Sequence, residues 1–155
     1  VIHVDYYEGP DALPHAKDCA AIHKAAFSAS GARGWTETEF KSLLERHSTF
    51  LLKAQYGFLL ADLVVDEAEI LTIAVAPDYQ GQKIGRALMS NFDDICRYRN
   101  VNRCILEVAE DNYAAKNLYH MFNFEQFTLR EGYFKRENSL ISALVMIRTT
   151  DPETK

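Results

Sequence analysis

ILTIAVAPDYQGQKIGRA, residues 70–87, decides the fold. Ile70, Leu71, Ile73, Ala74 and Val75 make a nearly continuous apolar run, the pattern of a strand buried on both faces, and Pro77 with Asp78 ends it. From Ile84 the apolar residues recur at Ala87, Leu88, Phe92 and Ile95, which is helical spacing. Gly81, Gln82, Lys83, Ile84 and Gly85 therefore fall where the first N–H groups of a helix lack partners within it. Such a terminus, with the helix dipole behind it, attracts an anion and suits phosphate or pyrophosphate. Gly85 is followed by Arg86 and Ala87, which excludes the GxxxxGK loop ending in Ser or Thr, and GxGxxG is absent. What remains is Q-x-x-K-x-G-R-A. If position 83 needs positive φ, its lysine is strained; if it only has to leave room for phosphate, the side chain can point outward or add a charge contact.

Strand and helix signals continue on both sides. Downstream, residues 103–109 alternate as a strand, Asn112 is placed to cap a helix over 113–121, and Asn123 follows where a left-handed residue belongs. Strand, crossover helix, strand implies a parallel pair. Residues 124–129 and 139–147 read as a terminal hairpin, and 151–155 as a frayed tail. Upstream, 49–54 and 57–65 are strands joined tightly at Gln55 and Tyr56, making an antiparallel meander with the organising strand. Before them come a strand over 2–7, a helix over 11–27, and a short helix opened by Thr36 and Glu39 in a capping box. Trp35 precedes that cap, the place of a hydrophobic staple.

At 155 residues, with 48% hydrophobic and 25% charged residues, the chain has the size and balance of one globular domain, expected over 1–148 with 149–155 as a tail. The longest apolar stretches are broken by Lys53, Gln55 and Asp62, so no membrane span is expected. The first ten residues lack the core of a signal peptide. A net charge of −5 argues against nucleic acid and favours a basic peptide as partner. Cys19, Cys96 and Cys104 are an odd count without CxxC spacing, which fits a reducing cytoplasm, and packing explains Cys96 and Cys104 better than nucleophilic chemistry does.

The order of elements resembles that of the GCN5-related N-acetyltransferase family, and the resemblance covers nearly the whole chain. It is sharpest in AEILTIAVAPDYQGQKIGRAL, LEVAEDNYAAKNLYHMFNF and the GYF near the end, which are similar to the bacterial ribosomal-protein alanine N-acetyltransferases of the RimI type. The resemblance implies an α/β (α+β) fold with a mixed central sheet of roughly seven strands and four helices. It implies acetyl-CoA as cosubstrate and no metal. The pantetheine arm would lie along Ile73, Ala74 and Val75, where two parallel strands splay apart at a bulge, and the pyrophosphate on Gly81, Gln82, Lys83, Ile84, Gly85 and Arg86. Gly85 is expected to keep that approach clear. In the family the asparagine matching Asn112 also touches the pantetheine.

The resemblance assigns a general base to Glu107, in LEV, and a general acid to Tyr119. The residues themselves leave room for other roles. Glu107 sits in a strand expected to be central, where burial without purpose would be costly. Tyr119 is spaced with Ala115 and Leu118 and could be a core aromatic. Trp35 and Tyr133 are candidate walls of an acceptor cleft, Trp35 with packing as the competing reading. Transfer from a thioester to an amine needs a neutral amine, a polarised carbonyl and a proton for the thiolate. An N-terminal amine, with pKa near 7.7–8.0 against ~10.4 for lysine, is the easier acceptor at pH 7. The leading expectation is acetylation of the N-terminal alanine of a ribosomal protein in the cytoplasm. The alternatives are acetylation of a polyamine or antibiotic, and a non-catalytic acyl-CoA-binding module.

Overall fold

In the computed structural model, which describes residues 1–135 and 139–150, the chain enters a sheet through β1 (Asp5–Glu8) and crosses one face as α1 (Ala16–Ser28) and α2 (Glu37–Leu44). It returns as the antiparallel meander β2 (Thr49–Ala54), β3 (Gly57–Val64) and β4 (Glu67–Val75). Then follow α3 (Ile84–Tyr98), β5 (Arg103–Ala109), α4 (Tyr113–Met121), β6 (Glu125–Lys135) and β7 (Leu140–Thr149). The strands form one seven-stranded sheet in the order β1-β2-β3-β4-β5-β7-β6, with β4 and β5 its parallel neighbours.

Two cores explain why β2 and β3 are buried almost throughout. Leu52, Leu59, Ile70, Leu88, Phe92, Leu106 and Met146 join on the face that carries α3, while Ile22, Phe40, Leu44, Leu51, Phe58 and Leu60 join beneath α1 and α2. Strand alternation sends neighbours such as Leu51 and Leu52 into opposite cores. The apolar run of β4 behaves differently from expectation. Ala68, Ile70, Thr72 and Ala74 are buried, but Leu71, Ile73 and Val75 are only half-buried, because β4 borders an opening in the sheet.

Local chemistry accounts for the boundaries. Thr36 Oγ1 accepts from the Glu39 N–H at 3.1 Å and Glu39 Oε1 accepts from the Thr36 N–H at 3.1 Å, completing the capping box. Trp35 and Phe40 close the staple, ring centroids 5.6 Å apart. Asn123 adopts φ 69 after α4. The first strand covers Asp5–Glu8 rather than 2–7; Ile2 and Val4 pack against the core beneath α3 instead. The helix expected over 11–27 divides into a 3-10 segment, Gly9–His15, and α1, since Pro14 cannot supply an N–H to a continuous α-helix. β3 stops at Val64, and Val65 turns the chain with φ 58. The terminal hairpin is longer than expected, and β7 runs one residue past the anticipated domain end at 148. The tail at 151–155 lies outside the described residues. Among the described residues no helix is long and apolar enough to cross a membrane.

Candidate active site

The parallel pairing of β4 with β5 runs from Glu67↔Arg103 to Ile70↔Leu106 and stops. β4 keeps its other neighbour as far as Gly57↔Val75, so beyond Ile70 only the edge toward β5 lies open. The cause is a bulge: Ile70 pairs with Ala61 and Thr72 with Leu60, leaving Leu71 as an extra residue that bends the strand. It also switches the side-chain alternation. Ala68 and Ile70 enter the core beneath α3 before the bulge, and Ile73 and Val75 pack on it afterwards. The expected trio Ile73, Ala74 and Val75 thus borders a wedge between strands, an edge to which an extended chain of amides can add. Gln80 Nε2 donates to the Val75 carbonyl at 3.0 Å and ties the following loop to the strand end.

Lys83 decides between the two readings of the loop. It caps α3 with φ 67 and ψ 17, the left-handed conformation, so this position needs positive φ and a lysine occupies it. No side chain caps the N–H groups of the first turn of α3, which leaves them available to an anion. Gly81 has φ 79 and nothing within 4 Å of where a Cβ would stand. Ile84 is buried and anchors the helix start, and Arg86 Nη2 rests 3.9 Å from Met121 Sδ of α4. The Gln82 side chain lines a cavity of about 610 Å³ shared with Lys53, Tyr56 and Tyr79. At Gly85 a Cβ would meet Leu118 Cδ2 at 3.2 Å, so its small size also serves the approach of α3 to α4.

Glu107 and Tyr119 lie on opposite faces of β5. Tyr119 is 5% exposed and belongs to the core with Leu106 and Val108; Glu107, between those two, points to the other face. Burial pushes the Tyr119 phenol above its ordinary range. Glu107 is less buried than a central strand suggests, its side chain 32% exposed, because α1 and α2 pack over β2, β3 and β4 and stop short of β5. Its Oε1 accepts from Arg130 Nη1 at 2.5 Å, and the guanidinium stands 3.9 Å from the centre of the Tyr133 ring. Arg130 carries no sequence signal of its own; only the β6 register brings it to Glu107. Asn112 Oδ1 accepts from the Ala115 N–H at 3.2 Å, the expected cap of α4.

The face that carries Glu107 gathers carboxylates, two of them paired with arginine: Glu107 with Arg130, and Asp62 with Arg46 at 3.8 Å. Glu69 pairs with Ile105 on β5 and Asp62 on β3, which sets three carboxylates across neighbouring strands. Partial burial and then the charge of Glu107 hold the Glu69 carboxyl above its ordinary range. Trp35 is half-buried over the other end of this face, stacked on His23 at 4.9 Å, its backbone N–H donating to His23 Nδ1 at 3.1 Å. His23 is 4% exposed, and burial lowers its pKa to about 4. Tyr133 is 47% exposed on β6. Among the described residues, no cluster of three or more His, Cys, Asp or Glu side chains is placed to hold a metal ion.

Comparison with known proteins fits this geometry. The acetyltransferase (GNAT) family model matches residues 16–124. The ribosomal protein bS18-alanine N-acetyltransferase of Escherichia coli K12 is 40% identical over 119 residues, 71% of this chain and 80% of that protein. The crystal structure of the ribosomal-protein-S18-alanine N-acetyltransferase from Escherichia coli superposes with a TM-score of 0.81 at 30% identity, covering 100% of this chain and 99% of that one. Arabidopsis thaliana NAA60 in complex with acetyl-CoA shares the fold, with a TM-score of 0.74 at 16% identity over 95% of this chain and 98% of that one.

Proposed function

Because the chain belongs to the acetyltransferase (GNAT) family, we propose that it acetylates the N-terminal alanine of a ribosomal protein, the reaction its bacterial relatives are named for. The observation that carries this reading is the 40% identity with the Escherichia coli enzyme. Acetyl-CoA, when bound, supplies an activated acyl group. The residues present fit it: Ile73, Ala74 and Val75 offer an open strand edge to the pantetheine amides, Asn112 at the start of α4 is the residue whose family counterpart touches the pantetheine, and Gly81 to Arg86 present the uncapped start of α3 to the pyrophosphate. Glu107 takes the role of base, acting through water on an amine whose pKa near 7.7–8.0 makes deprotonation easy at neutral pH. Tyr119, whose proton burial retains, takes the role of acid toward the leaving thiolate. Trp35 and Tyr133 form walls of the acceptor cleft.

The carboxylates Asp62, Glu69 and Glu107, with Glu110 and Asp111 at the strand end, support a basic acceptor, an attraction that salt screens beyond ~10 Å at 0.1 M. Mass spectrometry of acetylated peptides tests the assignment. A peptide beginning Ala-Arg should be modified at its α-amine faster than one beginning Ala-Glu, the preference should shrink with ionic strength, and an internal lysine should stay unmodified. Predominant lysine acetylation, or faster turnover of free spermidine, would transfer the assignment to small amines. No turnover of any acceptor by a chain that binds acetyl-CoA would leave a binding module.

A further inference from the structure

The last turns of α3 and the start of β5 bring two thiols together away from the wedge. Cys96 Sγ and Cys104 Sγ are 3.8 Å apart, in hydrogen-bonding contact, and the two residues are 7% and 2% exposed. Arg148 of β7 reaches into the same place: its Nη2 stands 3.6 Å from Cys104 Sγ, while Nη1 donates to Asp93 Oδ1 at 2.7 Å and to the Phe122 carbonyl at 2.9 Å. Those two acceptors fix the guanidinium, which makes its direct sulfur contact with Cys104. The guanidinium also lies over the Phe124 ring at 4.9 Å and the Phe92 ring at 5.8 Å, which holds a cation in the core beside the two thiols.

We propose that Cys96 and Cys104 form an oxidation site at which a hydroperoxide joins α3 to β5 through a reversible disulfide. The hydrogen bond from Cys96 and then the Arg148 guanidinium hold the Cys104 thiol below its ordinary range, while the same hydrogen bond pushes Cys96 up. Cys104, whose sulfur stands 3.6 Å from Arg148 Nη2, is the attacking thiolate. Its sulfur takes an oxygen from the peroxide, the O–O bond breaks, and hydroxide or alkoxide leaves and is protonated, giving a sulfenic acid. Cys96 Sγ then attacks the Cys104 sulfur, the S–O bond breaks, and the departing hydroxide leaves as water with the Cys96 proton. Two thiols lose two electrons to one hydroperoxide. The sulfurs have to close from 3.8 Å to about 2.0 Å. Cys19 provides an internal control: it lies in the other core beneath α1, and burial pushes its thiol up to about 12.

The test treats the folded, reduced chain with hydrogen peroxide, removes the peroxide, unfolds the chain in denaturant, alkylates the remaining thiols and measures intact and peptide masses. The expected result is loss of two hydrogens, a linked peptide pair containing Cys96 and Cys104, one alkylated thiol at Cys19, and full reversal by dithiothreitol. Cys96→Ser should halt the sequence at a Cys104 sulfenic acid that dimedone traps, and Cys104→Ser should leave Cys96 unreacted. Both cysteines still alkylated after peroxide treatment, Cys19 in the linked peptide, or dimedone capture at Cys96 instead of Cys104 would each overturn the proposal.

Discussion

Replacing Lys83 by glycine should stabilise the protein and leave its fold unchanged. Lys83 holds φ 67 and ψ 17 at the start of α3, a conformation that costs an L-residue roughly 1–2 kcal/mol and glycine almost nothing. Glycine loses more backbone freedom on folding, roughly 0.5–1 kcal/mol, which leaves a net gain of about 0.5–1 kcal/mol. For a domain of this size about 1 kcal/mol moves Tm by ~2–4 °C, so the melting point should rise by about 1–4 °C. Lys83→Ala separates backbone from side chain, because alanine keeps the strain and loses the ammonium. Alanine should therefore leave Tm near the parent value. Calorimetric titration with acetyl-CoA should show the same modest weakening in both variants, since both lose one cation beside the pyrophosphate. If glycine melts no higher than alanine, strain at position 83 is not a term in stability. If alanine alone weakens binding, the loss comes from loop geometry and not from charge.

The remaining predictions concern the wedge and the two cores. Glu107→Gln should lower turnover far more at pH 6.5 than at pH 9, where an α-amine is already neutral; a loss independent of pH would make Glu107 a positioning group. Tyr119→Phe should slow turnover while acetyl-CoA affinity holds, and an unchanged rate would assign Tyr119 to packing alone. Gly85→Val should destabilise by about 1–3 kcal/mol through Leu118, and Leu118→Ala in the same chain should recover most of that in urea unfolding. No recovery would return Gly85 to the role of clearing an anion's approach. His23 titrates at about 4 in the folded chain against 6.5 unfolded, so between those values the unfolded chain binds more protons and stability falls as pH drops, by about 3 kcal/mol at most. Urea midpoints measured from pH 7 to pH 4 should show this slope in the parent and not in His23→Phe; equal slopes would place the titration elsewhere.

The meander, the crossover and α2 were legible because each rests on contacts near in sequence: the Gln55-Tyr56 turn, the capping box at Thr36 and the helical spacing from Ile84. Errors gathered where distant packing decides. Pro14 was available as a helix breaker, yet the periodicity of Ala16, Cys19 and Phe27 extended the helix through it. The room that Gly85 leaves for Leu118 is illegible for a similar reason, since Leu118 lies on another helix. Arg130 and Glu69 carry no local signal, because charged residues in strands usually face water. Only the register, which sets Glu69 beside Ile105 and brings β6 alongside β7 next to Glu107, turns them into neighbours of the site.

The bulge at Leu71 links these parts. Along β5 the side chains alternate, so Glu107 and Tyr119 stand on opposite faces of the sheet, and a continuous β4–β5 ladder would wall them apart. Pairing stops at Ile70↔Leu106, one residue before Leu71 on β4 and one before Glu107 on β5. The opening therefore begins level with the carboxylate, and in the proposed reaction a base on one face and an acid on the other can reach a single centre only through it. A single extra residue in β4 does three things at once: it opens the edge that Ile73 to Val75 present, switches Ile73 and Val75 onto the α3 core, and connects the two faces. Deleting Leu71 should restore an unbroken register with β3, close the wedge, and abolish acetyl-CoA binding in a chain that still folds. A folded deletion variant that binds acetyl-CoA as the parent does would show that the opening has another cause.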